Sequence, residues 1–193
     1  PFLRPTELAR DDTAMWPVLR HALESVEREQ GREYDYLLLL DPTSPGRLPE
    51  HVSGALTRLE NTPDADGIIG VSEPKCNPIW HCVLDRDGWM HDLMPEASGY
   101  VRRQDVPAVY QINATLYLWR AAYVRSEARD WRAYGRHLLF EMPELNGIHI
   151  DDAEEFALAE LLIKHGMIRL PWLEATNHIQ DQSRELQTED ASW

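Results

Sequence analysis

The sequence predicts an α/β fold in which parallel strands alternate with covering helices. Two runs are apolar on both faces, "YLLLL" from Tyr36 to Leu40 and "DGIIGV" from Asp66 to Val71, as expected of strands buried between helices. A segment of helical periodicity precedes each run, and the order helix, strand, helix, strand implies right-handed crossovers in one sheet.

The first helix follows "DDT": Met15, Val18, Leu19, Ala22, Leu23 and Val26 recur at helical spacing. Asp12 or Thr13 is placed to cap it, Pro17 is tolerated only in its first turn, and Gly31 marks its end. Tyr36–Leu40 is then expected as a central parallel strand. The second helix starts near Pro49 and puts Val52, Ala55, Leu56 and Leu59 on one face. Beyond Pro78 the pattern changes, and "WHCVLDRDGWMHDLM" predicts two strands around an Asp87-Gly88 turn, an excursion from the main sheet. Val109–Trp119 returns as a strand and a helical stretch follows over 120–134. Ile148 and Ile150 are strand-like, and Asp152 with Glu155 has the spacing of a capping box. Phe156, Ala159, Leu162 and Ile163 are expected to be the buried face of the last helix, which Gly166 terminates. From Glu174 the chain is polar with few anchors, which predicts a frayed tail.

Composition narrows the partners. A chain of 193 residues, 43% hydrophobic and 27% charged, has the size and mix of one domain with a substantial core. Its 19 basic and 33 acidic residues leave a net charge of −14, which repels phosphate backbones and argues against nucleic acid. The longest strongly apolar run is far short of a bilayer span and no signal-like leader is visible, so no membrane role and a cytoplasmic location are expected. Two cysteines, Cys76 and Cys82, are too few for a disulfide framework and are expected as free thiols.

In open α/β sheets, ligands sit beyond the carboxyl ends of the strands. "DPTSPGR" begins at such an end: Asp41, Thr43 and Ser44 offer polar contacts and Arg47 is a candidate anion partner. The alternative is a proline-stiffened turn that only leads into the next helix. "HIDD" places carboxylates at a second such end, where Mg²⁺ takes one or two of them plus phosphate oxygens. Asp151 is the candidate ligand there, while Asp152 is expected to cap the helix, with Glu154 and Glu155 in its first turn. Arg102, Arg103, Gln104, Asp105 and Asn113 are concentrated in "YVRRQDVPAVYQIN". Guanidinium groups there suit a carboxylated or phosphorylated ligand, or else lie in surface ion pairs. Cys76, His81, Cys82 and His91 match no standard zinc spacing.

Taken in order, "FLRPTELARDDT", "LLLLDPTSPGR", "VSEPKCNPIW", "RRQDVPAVYQINATLYLW" and "IHIDDAEEFALAE" resemble the acylneuraminate cytidylyltransferase family, the CMP-sialic and CMP-legionaminic acid synthetases. The likeness covers about residues 1–165. It implies a Rossmann-like nucleotidyltransferase sheet over 1–173, homodimerisation through a small β-rich excursion at about 78–108, and a polar tail over 174–193. It also implies a Mg²⁺-dependent reaction of CTP with a nonulosonic acid. By the same resemblance the loop of Asp41, Thr43 and Ser44 faces the sugar, with Gln111 tuning its choice. Arg103, with Gln104 beside it, lies near the sugar carboxylate, Arg4 near the nucleotide, Asn113 in the family's "NG" pair, and Asp151 in its metal-binding "DID". Asp151 and Arg103 are thus the expected catalytic residues.

The departures are specific. His149 replaces the first aspartate of "DID", Ala114 replaces the glycine of "NG", and Met15 and Trp16 stand where relatives often carry small hydroxyl residues. The family opens with a strand and a Gly- and Lys-rich phosphate loop that has no counterpart here, so the resemblance implies tens of further residues upstream and an inactive chain without them. A noncatalytic homologue that binds a sugar acid or a partner subunit is the competing expectation.

Overall fold

Leu19 and Leu23, one helical turn apart, join Trp16 to bury one face of α1, Met15–Gln30, which ends at Gly31 with φ 65°. The computed structural model describes residues 2–126 and 130–173; the expected tail lies outside them. Neither expected cap acts on α1. Asp12 pairs instead with Arg10 at 3.0 Å, the Thr13 hydroxyl donates to the Glu7 carbonyl at 3.3 Å, and Ala14 occupies the capping position.

β1, Tyr36–Leu39, is followed by α2, Pro49–Glu60, and β2, Gly67–Ser72, whose six residues are all buried. A short helix, α3, Pro78–His81, leads to a hairpin of β3, Val83–Arg86, and β4, Trp89–Asp92, which forms a separate two-stranded sheet. Asp87 and Gly88, with φ 55° and 83°, turn the hairpin as expected. β5, Gln111–Arg120, is followed by α4, Ala121–Ser126. The chain then turns at 130–133 into β6, His137–Glu141, and ends its described part with α5, Ala153–Lys164. The helix expected over 120–134 therefore stops early. A strand that the sequence reading did not anticipate follows it, and residues 127–129 of that stretch lie outside the described ones.

The main sheet has the order β1-β5-β2-β6. β5 runs antiparallel to both β1 and β2, whereas β2 and β6 are parallel. This mixed α/β sheet corrects the pairing of the leucine run: among the described strands β1 pairs with β5 alone, and antiparallel, where a parallel neighbour is expected. Leu38 is 40% exposed. β5 occupies the position between β1 and β2 that a parallel crossover would have closed.

Each face of the sheet carries its own core. On one, Trp16, Leu19 and Leu23 of α1 pack with Ile69, Trp119 and Val124. On the other, Ala55 and Leu59 of α2 pack with Ile68, Leu116 and Leu118. α5 lies elsewhere: Leu162, with Ile168 and Leu170, packs against Leu48 and Ile148 beyond the strand ends. That narrow contact leaves Phe156, expected in the buried face, 60% exposed. Ile148 and Ile150 form no strand either, because the Ile150 N–H donates to the Thr43 carbonyl at 2.9 Å and docks this segment on a loop. Among the described residues no helix is long and apolar enough to cross a membrane.

Candidate functional site

Because β5 runs against β1, β2 and β6, its beginning lies beside their carboxyl ends. Four segments meet there: the loop after β1, the link after β2, the start of β5 and the stretch between β6 and α5. The last three, with α5, line a cleft of about 360 Å³ whose polar lining includes Lys75, Gln111, Asn113 and His149, with Ile112 and Leu158 on its apolar side; the loop after β1 and Asp151 stand beside it without lining it.

Asn113 reaches the cleft through a bulge. Ile69 faces Tyr117 but Val71 faces Ile112, so β5 carries extra residues opposite Gly70, and such a bulge re-aims side chains. Ala114 takes φ 56° within it, a conformation that costs an L-residue about 1–2 kcal/mol. The Asn113 amide donates to Ser72 Oγ at 2.9 Å, and its carbonyl oxygen accepts the Thr115 N–H at 3.2 Å. All three residues are buried. Gly147 closes over this group: a Cβ there would stand 2.5 Å from Ser72 Oγ and 2.9 Å from Asn113 Nδ2.

The loop after β1 is held by its own polar groups. Asp41 Oδ1 accepts the Thr43 hydroxyl at 2.7 Å and the Thr43 N–H at 3.1 Å. Partial burial pushes the Asp41 carboxyl up, but the Thr43 bonds, with His149 and Arg47 nearby, outweigh it and hold the group below the usual carboxylate range. His149 Nδ1 lies 3.2 Å from Thr43 Oγ1 and 3.3 Å from Ser44 Oγ, and its Nε2 lies 3.0 Å from Asp151 Oδ1. A neutral imidazole satisfies this arrangement when Nε2–H donates to Asp151 and Ser44 donates to Nδ1. Arg47, a candidate anion partner by sequence, points inward: its Nη1 donates to the carbonyls of Thr115, at 2.7 Å, and Asp41, at 3.3 Å. It ties the loop to the bulge.

Asp152 caps α5 as expected, accepting the N–H groups of Glu154 and Glu155 at 2.9 and 2.8 Å. The reciprocal bond differs, for Glu155 Oε2 accepts the Asp151 N–H, at 2.7 Å. The structure thus brings together Asp41, Thr43, Ser44 and Asp151 through His149, and Gln111 with Asn113 along the cleft wall. Arg103 and Gln104 are not among the cleft's lining residues. They are exposed in a 3-10 turn, Arg103–Asp105, on the excursion, where Arg102 pairs with Asp105 at 2.8 Å. Arg4 is exposed in the segment ahead of the Thr6–Leu8 turn. The sequence reading passed over Lys75, three residues beyond the end of β2; the strand-end rule, applied to that strand as well, points to it.

For magnesium the donor set is small. Asp151 is the exposed carboxylate at the position that the resemblance assigns, one of its oxygens bonded to His149. No group of three or more metal-ligating side chains forms among the described residues. Such a set fits a Mg²⁺ ion whose remaining ligands are phosphate oxygens and water, and does not fit an all-protein cage.

A mixed α/β sheet of Rossmann-like type, with polar groups gathered at its strand ends, is the class of structure that fold and cleft define. The likeness to the acylneuraminate cytidylyltransferase family extends to particular proteins. The chain is 28% identical over 165 residues to the post-translational flagellin modification protein B of Campylobacter coli, covering 84% of this chain and 67% of that protein. It is 27% identical over 163 residues to the CMP-N,N'-diacetyllegionaminic acid synthase of Campylobacter jejuni, with the same coverage. It is 25% identical over 168 residues to the protein of that name in Legionella pneumophila, covering 85% and 68%. The chain therefore spans about two thirds of the length of these relatives. No family model matches it.

Proposed function

We propose that this chain is part of a CMP-sugar synthetase that transfers CMP from CTP to the anomeric hydroxyl of a nonulosonic acid. The sugar oxygen forms a bond to the α-phosphorus, the bond to the β-phosphate oxygen breaks, pyrophosphate leaves and the hydroxyl proton is lost. The observation that carries this reading is the convergence of Asp41, Thr43, Ser44, Asn113, His149 and Asp151 at one end of the sheet. These residues come from motifs far apart in sequence, and relatives 25–27% identical over most of the chain are named CMP-N,N'-diacetyllegionaminic acid synthase.

In this reading Asp41, held ionised by Thr43, accepts hydrogen bonds from sugar hydroxyls, and Gln111 with Asn113 lines the sugar's resting place. Asp151 would hold Mg²⁺, which when bound neutralises charge on the triphosphate. Arg4 is assigned to the nucleotide, and Arg103 with Gln104 to the acid end of the sugar or to a second copy of the chain. Self-association through the hairpin is supported by its exposed apolar residues: Trp89 is 75% and Met90 76% exposed. One observation favours a binding-only role instead, the His149 bond that engages one oxygen of Asp151. The test is pyrophosphate release by the full-length gene product with CTP, Mg²⁺ and a panel of sialic and legionaminic acids. Turnover with one of them is the expected result, and absence of turnover with all of them refutes the enzymatic reading.

A further inference from the structure

The cleft contains a charge that neither the loop after β1 nor the "HIDD" segment explains. Lys75 lines it, and among the described residues the ammonium has neither an ion pair nor a hydrogen bond. Its position is defined from both sides. Pro74 stiffens the link from β2, and Asn77 caps α3 by accepting the Ile79 N–H at 3.0 Å while donating to the Pro107 carbonyl at 2.8 Å. The surroundings are otherwise hostile to anions: Glu144 and Glu155 also line the cleft, and the chain carries a net charge of −14.

One cation beside two carboxylates suits a ligand with a single negative charge better than a triphosphate, which needs several. The rest of the lining agrees, since two side-chain amides, Gln111 and Asn113, suit hydroxyl and acetamido groups, and Ile112 with Leu158 offers apolar area. We propose that Lys75 receives the carboxylate of the sugar acid and so sets the cleft's preference for an acidic over a neutral sugar. This rests on the sugar-acid reading given above and deepens it, adding to Arg103 on the excursion a counter-charge that lines the cleft itself. Lys75 acts here in binding and selection.

The test is equilibrium binding of N-acetylneuraminate and of its methyl ester to the wild-type chain and to Lys75→Met and Lys75→Arg. Wild type should prefer the acid. Lys75→Met should weaken acid binding by about tenfold, the size of one charge-assisted contact, and leave ester binding unchanged. Lys75→Arg should keep the acid preference. Lys75 is exposed, so an unchanged melting temperature should accompany the loss. Should Lys75→Met keep the full preference, the assignment to Lys75 is overturned while the sugar-acid reading stands. Wild type that binds neither ligand would overturn that reading, and this inference with it.

Discussion

Ala114 shows how a single residue can record a backbone demand. The bulge in β5 needs a positive φ at this position, where glycine is unstrained and alanine is not. Ala114→Gly should therefore stabilise the chain by up to about 1 kcal/mol, the αL strain less the extra unfolded-chain entropy of glycine. A higher urea midpoint with an unchanged slope is the expected readout. In sequence Ala114 is only a departure from a motif; the bulge supplies the physical reason that a glycine suits the position. In sequence His149 is likewise only a poorer magnesium ligand than aspartate, and nothing local in "IHID" signals that its ring meets Thr43 and Ser44 more than a hundred residues earlier. Arg47 illustrates the converse, a charge that looked free in sequence and turns inward to two carbonyls.

At the scale of elements, helices and buried strands were legible wherever their periodicity was local. α1, α2, β2 and the hairpin all lie close to their expected positions. What failed was pairing. An apolar run tells how much of a strand is covered, and not which strand lies beside it, so a parallel neighbour is expected for β1 while the described one, β5, is antiparallel. β6 escaped notice because five residues after a turn carry too short a pattern to compete with the helix expected there. The joint between β5 and the turn Glu144–Gly147 is the tightest packing around the cleft. Gly147→Ala should force Ser72 and Asn113 apart at a cost of about 1–3 kcal/mol. The Thr115 amide, held by Asn113 at 3.2 Å, should then exchange with solvent faster than in wild type.

Over the whole molecule, stability should depend on pH through a group far from the cleft. His137 begins β6 beside the rings of Tyr123 and Trp131, and its Nε2 is buried without a partner. Burial lowers its affinity for a proton, only partly opposed by Asp66 and by a bond to the Gly135 backbone. The unfolded chain takes up that proton near pH 6.5, and the folded chain does so only at lower pH. The contribution is therefore complete above about pH 6.5 and is lost as pH falls through the depressed folded value. Melting temperatures measured from pH 7.5 down to pH 5 should fall in wild type and fall less in His137→Phe. Partial burial lowers the proton affinity of His51 as well, with Glu50 opposing, so His51 acts in the same direction and should leave a residual slope.

The pairing of β1 with β5 also has a consequence in time. Tyr36 is hydrogen-bonded across the sheet to the strand that ends at Arg120, about 80 residues later. A ribosome adding roughly 5–20 residues per second needs about 4–16 s to make that partner after the leucine run has been made. Throughout that interval the side of "YLLLL" that β5 will cover is unpaired and is a template for another nascent chain. A slowly translated message would prolong that exposure, so this protein's yield in a cell should respond to chaperone supply during synthesis more than to the stability of the finished fold.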